Sequence, residues 1–199
     1  MLEPELGPDF GRLREWPLNH VVKCLCFAHP DDSAEMWASQ TATVQRLFAQ
    51  ARRNRLEFLL EVIPTRAGPV DDDTTPRVIQ RFYDSGVFPD WWKLEPFATD
   101  AAWARACQAI ARNDPRTRGI VVLGLDAPAE ALAASFALAA RHDLVKGFAV
   151  GRTIFGDVAR RWLAGAVDDA GAVAEMAANY AALCDVWDTA RATARKDAG

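Results

Sequence analysis

Five short apolar, β-branched runs recur along the chain: HVVKCLCF (20–27), EFLLEVIP (57–64), PDWWKLEP (89–96), GIVVLGLD (119–126) and LVKGFAVG (144–151). Each is followed by residues that start helices. A strand that gives way to a helix before the next strand begins is not closed by a tight turn, so the runs predict parallel strands joined by crossover helices. Asp32 with Glu35 three residues on has capping-box spacing, and apolar residues continue through Trp37, Val44, Leu47 and Phe48. Thr75 precedes Pro76 at a first helical position, Thr99 precedes AAWARACQAI, and Asp126 and Pro128 open EALAASFALAAR. The last strand is expected to lead into a helix near 157–164 and a long one from about 169 to 194. The acidic run Asp71, Asp72, Asp73 reads as favourable charge at the positive end of a helix rather than as a metal site.

Strand starts lie 25 to 37 residues apart, the size of a βα unit. Eight such units make a (β/α)8 barrel of roughly 250 residues. The five found here predict a partial TIM barrel of parallel βα units, with an open doubly wound α/β sheet as the alternative. Residues 1–15 read as a lead-in and residues 16–199 as the barrel domain.

Three successive strands carry a charge inside an apolar run: Lys23, Glu61 and Lys93. An isolated buried charge is costly, so such residues need partners, and adjacent parallel strands let them supply one another. A Lys, Glu, Lys row near the C-terminal ends of strands also sits where barrel enzymes place their chemistry. An ion-pair network that only ties the strands together is the competing reading. Lysine chemistry favours the catalytic one: an ammonium that is desolvated beside another cation loses its proton more readily, and the neutral amine attacks a carbonyl to form an imine. Glu61 between the lysines can then move the proton that C–C cleavage requires.

The last strand ends in FAVGRTIFGD, where Gly151 lets the backbone approach a ligand and Arg152 offers a guanidinium beside the next helix. Gly124 ends the strand before it, and phosphate is the natural guest of such a pair of strand ends. His29 lies just past the first strand, either as an additional acid or base or as a histidine that stabilises the turn at HPDD. His20 and His142 precede their strands and read as structural or solvated. Trp91 and Trp92 alternate sides, so one can wall off Lys93 while the other packs under a helix.

Other classes recede. The net charge is −4 with no basic stripe, so no nucleic-acid partner is expected. Cys24, Cys26, Cys107 and Cys184 lack CxxC spacing, and Cys24 and Cys26 share one face of a strand as small core residues. The start of the chain has no apolar signal region and no run approaches a membrane span, which predicts a soluble cytoplasmic protein with no membrane partner.

The segments VVKCLCFAHPDD, LLEVIP, DWWKLEP, LVKGFAVGRTIFGD and RRWLAG resemble the aldolase-like domain (domain of unknown function 2090) that follows a sugar kinase in bifunctional 5-dehydro-2-deoxygluconokinases of inositol catabolism. The resemblance runs from about Trp16 to the end. That domain is similar to class I tagatose-bisphosphate aldolases, whose Schiff-base lysine lies in a D-x-x-K-x-E-x-P-like strand; Asp90, Lys93 and Glu95 match it, with Pro96 one position early. The resemblance implies an imine on Lys93, proton handling by Glu61, substrate contact by Lys23 and phosphate binding by Arg152. It further implies cleavage of a phosphorylated keto-deoxy sugar acid, 6-phospho-5-dehydro-2-deoxygluconate, to dihydroxyacetone phosphate and malonate semialdehyde, with no metal or cofactor. A non-catalytic phosphosugar-binding or assembly module is the other class of function.

A complete domain would carry three further βα units before Trp16. A five-stranded piece of barrel has two edges with unpaired backbone groups, and HVVKCLCF has no proline and only Lys23 as a charge screen. The isolated chain is therefore expected to form homo-oligomers or to pair with a missing N-terminal barrel segment. Light scattering checks this: self-association is expected, and a monodisperse monomer with cooperative unfolding favours a self-sufficient open sheet.

Overall fold

The computed structural model describes residues 9–124 and 127–197. Among them five strands alternate with helices: β1 (Val21–Cys26), α1 (Ala34–Arg53), β2 (Glu57–Val62), α2 (Thr74–Asp84), β3 (Trp91–Leu94), α3 (Asp100–Asn113), β4 (Gly119–Leu123), α4 (Ala129–Ala139), β5 (Val145–Ala149), α5 (Arg152–Leu163) and α6 (Asp169–Asp197). The strands are parallel and form one open sheet in the order β1-β2-β3-β4-β5. The sheet is open, as the alternative expected, but its strands follow chain order without the reversal that marks a doubly wound sheet. That winding is the one a barrel wall requires.

The helix boundaries differ from expectation in three places. The cap of α1 is Ser33, whose side chain accepts from the Met36 amide at 3.2 Å; Asp32 instead accepts from the His29 amide at 2.8 Å, because the chain is still turning at HPDD. Helix α2 begins at Thr74 after Asp73, so Thr75 is already helical. Asp71 accepts from the Thr74 hydroxyl at 2.6 Å, and this bond, followed by the Asp73 amide, lowers its carboxyl pKa. Helix α5 starts at Arg152 rather than near 157, since the Gly151 carbonyl accepts from both the Ile154 and Phe155 amides and nucleates the turn directly after β5. Asp126 lies outside the described residues.

The chain divides into two compact units. The first, residues 1–94 and 101–120, buries the helix-facing side of β1, β2 and β3: Val22, Cys24, Cys26, Phe58, Leu60, Val62, Trp92 and Leu94. Val44 and Leu47 of α1 and Val78, Ile79 and Phe82 of α2 complete this core. Alternation along each strand sends every second residue into it, which accounts for Cys24 and Cys26 as core side chains. Trp92 donates to the Tyr83 hydroxyl at 2.9 Å, satisfying the buried indole, while burial raises the Tyr83 pKa. The lead-in contributes as well: Phe10 and Leu13 are buried, and the short 3-10 turn Gly11–Glu15 packs against α1.

The second unit, residues 95–100 and 121–199, packs α4 and α5 on α6. Phe136 stacks on Phe148 of β5 at 5.0 Å and meets Trp187 of α6 edge-on at 5.5 Å. Arg191 joins these elements, donating to the carbonyls of Ala140 at 2.6 Å, His142 at 3.2 Å and Val145 at 3.2 Å. These carbonyls belong to the end of α4 and the approach to β5, where no helical amide is left to reach them. No helix among the described residues is long and apolar enough to cross a membrane. Arg191→Leu keeps the packing stem but removes the donors; it is expected to cost about 2 kcal/mol in urea unfolding, by the usual worth of charged hydrogen bonds.

Candidate active site

The parallel register places Glu61 of β2 directly opposite Lys93 of β3 and opposite Leu25 of β1, with Lys23 opposite Leu59. All three charged residues therefore point to the sheet face away from the helices, toward the C-terminal ends of the strands. Lys23 Nζ lies 2.7 Å from Glu61 Oε2, and Lys93 Nζ lies 3.4 Å from Oε1. The predicted row is thus assembled, with the carboxylate shared between two ammonium groups. Burial is graded: the side chain of Glu61 is 4% exposed, that of Lys93 17% and that of Lys23 48%. Lys23 compensates the charge on Oε2, which has no aligned hydrogen-bond donor among the described residues. A buried carboxylate oxygen with charge compensation but no committed hydrogen bond is suited to receive a proton from a bound hydroxyl.

Below this row the same face is closed by a second polar group. Glu57 accepts from the Trp91 indole at 2.8 Å and pairs with Arg118 at 2.6 Å. Trp91 lies two residues before Lys93 on the same side of β3, and Trp92 on the other, as their alternation predicts. Asp90, part of the lysine-strand motif, has a structural place: it accepts from Arg52 at 2.7 and 3.0 Å and from the Phe58 amide at 2.7 Å. It sits at the N-terminal end of β3, away from the row, and aligns the start of β2.

His29 is buried and both ring nitrogens are engaged. Nε2 donates to the Pro69 carbonyl at 2.8 Å, and Nδ1 accepts from the Asp31 amide at 3.2 Å. This geometry gives it the stabilising place at HPDD rather than that of a substrate ligand or acid–base group. In the second unit the three phosphate-site residues are brought near one another. Gly124 is buried against Val150, where a Cβ would approach Val150 Cγ1 to 2.8 Å; Gly151 precedes α5, and Arg152 is its first residue, exposed. Thr153 donates to the Ala127 carbonyl at 3.1 Å and ties the α5 start to the loop after β4. His142 pairs with Asp100 at 3.2 Å, the structural role expected of it. Among the described residues no cluster of His, Cys, Asp and Glu forms a metal site. One residue that sequence reasoning passes over stands out: Arg66, in the 3-10 turn Pro64–Arg66 just beyond Glu61, is exposed. Its only signal is a cation closely following a strand end.

A singly wound parallel sheet carrying its charged row at the C-terminal strand ends is the arrangement of part of a (β/α) barrel wall. The chain belongs to the family described as "Uncharacterized protein conserved in bacteria (DUF2090)", whose model matches residues 2–191 and so takes in most of the lead-in. Among solved structures it is similar to a fructose-bisphosphate aldolase from Plasmodium falciparum, determined in complex with TRAP and a small-molecule inhibitor. The TM-score is 0.53 at 14% identity, covering 86% of this chain and 53% of that one. The chain thus spans about half the length of that aldolase, and at this identity the likeness is one of fold. No curated protein matches the chain.

Removing Glu61 leaves two cations on one face with Lys93 largely buried. Glu61→Ala is expected to destabilise by about 2 kcal/mol or more, with part of the loss recovered in the Glu61→Ala, Lys93→Met double variant. A double-mutant cycle in urea should show coupling of about 1 to 3 kcal/mol.

Proposed function

We propose that this chain carries the catalytic half of a class I, imine-forming aldolase acting on a phosphorylated keto-deoxy sugar acid. The observation that carries the reading is Glu61, buried between Lys93 at 3.4 Å and Lys23 at 2.7 Å on the open face of the sheet. Lys93 is the nucleophile: its neutral amine adds to the substrate ketone, and loss of water leaves a protonated imine. Glu61 takes the proton from the hydroxyl on the far carbon of the bond to be broken, the carbon that becomes the aldehyde. That bond then cleaves, its electron pair passes to the iminium, and an aldehyde leaves. Reprotonation of the resulting enamine and hydrolysis return the amine and a ketone phosphate. Lys23, more exposed, orients substrate oxygens beside Glu61. Since the iminium is the electron sink, the chemistry needs neither metal nor cofactor.

The sequence resemblance supports 6-phospho-5-dehydro-2-deoxygluconate as substrate, cleaved to dihydroxyacetone phosphate and malonate semialdehyde in myo-inositol catabolism, in the cytoplasm. Gly124, Gly151 and Arg152 would hold the phosphate, the helix start at Arg152 adding its amides. The second reading is a non-catalytic phosphosugar-binding or assembly module, in which both lysines serve only as charge partners of the buried Glu61. Homo-oligomerisation, or pairing with a further barrel segment, would supply the strands that a closed barrel needs.

Borohydride reduction in the presence of the substrate, followed by peptide mass mapping, separates the two. A covalent adduct on Lys93, abolished by Lys93→Met, is the expected result, and Glu61→Gln should lower kcat by about 100-fold or more. Phosphosugar binding without an adduct would instead establish the module.

A further inference from the structure

We infer that the turn after β2 is a clamp for the carboxylate end of the substrate, with Arg66 as the recognising cation and His29 as its positioning residue. The inference rests on the aldolase reading for the identity of the substrate and on the following geometry for the clamp. Arg66 ends a 3-10 turn that begins two residues after β2, at the same end of the sheet as Glu61. Its amide closes the turn on the Ile63 carbonyl at 3.3 Å, while its side chain is exposed and its guanidinium has no hydrogen bond or ion pair among the described residues; the acids of the adjoining HPDD turn are already committed. Asp31 pairs with Arg77 at 3.1 Å, and Asp32 accepts from the His29 amide.

An exposed arginine on a loose loop would mean little, but this turn is held from several sides. The Ile63 amide donates to the Cys26 carbonyl at 3.0 Å, which fastens the turn's start to the end of β1. The Ala67 and Gly68 amides both return to the Pro64 carbonyl, at 2.8 and 3.1 Å. The buried His29 ring donates to the Pro69 carbonyl at 2.8 Å and lies flush against Gly68, where even a Cβ would come within 3.3 Å of the ring. An uncommitted guanidinium on a fixed turn loses little freedom on binding and meets a carboxylate with two parallel hydrogen bonds. A keto-deoxy sugar acid carries a carboxylate besides its phosphate, and Arg66 is the chemical match for that carboxylate.

The test uses the full chain with two probes, the complete sugar-acid phosphate and dihydroxyacetone phosphate, which lacks the carboxylate. Malonate serves as a third, non-reacting probe of the clamp, followed by calorimetry or chemical-shift perturbation. Arg66→Gln is expected to raise KM for the sugar acid by about ten- to hundredfold, the loss of a charge-assisted bond, while borohydride trapping of dihydroxyacetone phosphate on Lys93 persists. His29→Ala should shift KM in the same direction, and His29→Gln, which keeps a donor toward Pro69, should restore it. If the wild type forms no adduct with either phosphate but binds malonate in an Arg66-dependent way, the aldolase reading falls and the clamp stands. Malonate binding and sugar-acid KM unchanged in Arg66→Gln would overturn the clamp, whatever Lys93 does.

Discussion

Glu61 is the residue on which the candidate site turns. A carboxylate with 4% of its side chain exposed is tolerable in an otherwise apolar strand only because Lys23 and Lys93 reach it from the strands on either side. The contact depends on register. Lys93 stands directly across from Glu61, whereas Lys23 lies two residues before Glu61's partner Leu25 on β1 and reaches forward with its more exposed side chain. A slip of one residue between β1 and β2 or between β2 and β3 would turn the charges into the face that holds Phe58, Leu60 and Trp92. The ion row and the hydrophobic face therefore specify one another: each makes the wrong register expensive for the other.

The same division explains what is legible in the sequence. Period-two alternation in VVKCLCF, EFLLEV and WWKL sorts charged and apolar side chains onto opposite faces of each strand, and the parallel fold brings the three charges into contact. Helix starts are less readable. Asp32 and Ser33 are both good caps one residue apart, and the cap is Ser33 because Asp32 is used by the His29 amide, an interaction formed by the shape of the turn rather than by local preference. The start of α5 precedes the expected one by several residues for a related reason. FAVGRTIFGD looks like a strand end followed by a loop, yet Gly151 nucleates the helix immediately and turns a loop arginine into a helix-start arginine.

Motif matching and physical role part company at Asp90. Its place in a motif around Lys93 suggests the site, but its carboxylate aligns the beginning of β2 and anchors Arg52 at the other end of the strand. That place still bears on the ion row. By holding the Phe58 amide at 2.7 Å, Asp90 sets where β2 begins relative to β3, and so where Glu61 falls relative to Lys93 three residues along each strand. Asp90 thus belongs beside Lys93 in the sequence because it sets register.

His29 makes the complementary case. Its sequence position allows two readings, an acid–base group at a strand end or a histidine that stabilises the turn at HPDD. In the structure both ring nitrogens are spent on backbone groups from two different turns, which requires one neutral tautomer with the proton on Nε2. Burial, two backbone partners and close packing of the ring on Gly68, where a Cβ would come within 3.3 Å of it, all serve to fix the turn. Precision in a loop of this kind costs conformational freedom, and that cost is met where side chains borne by the loop must engage something from outside the chain.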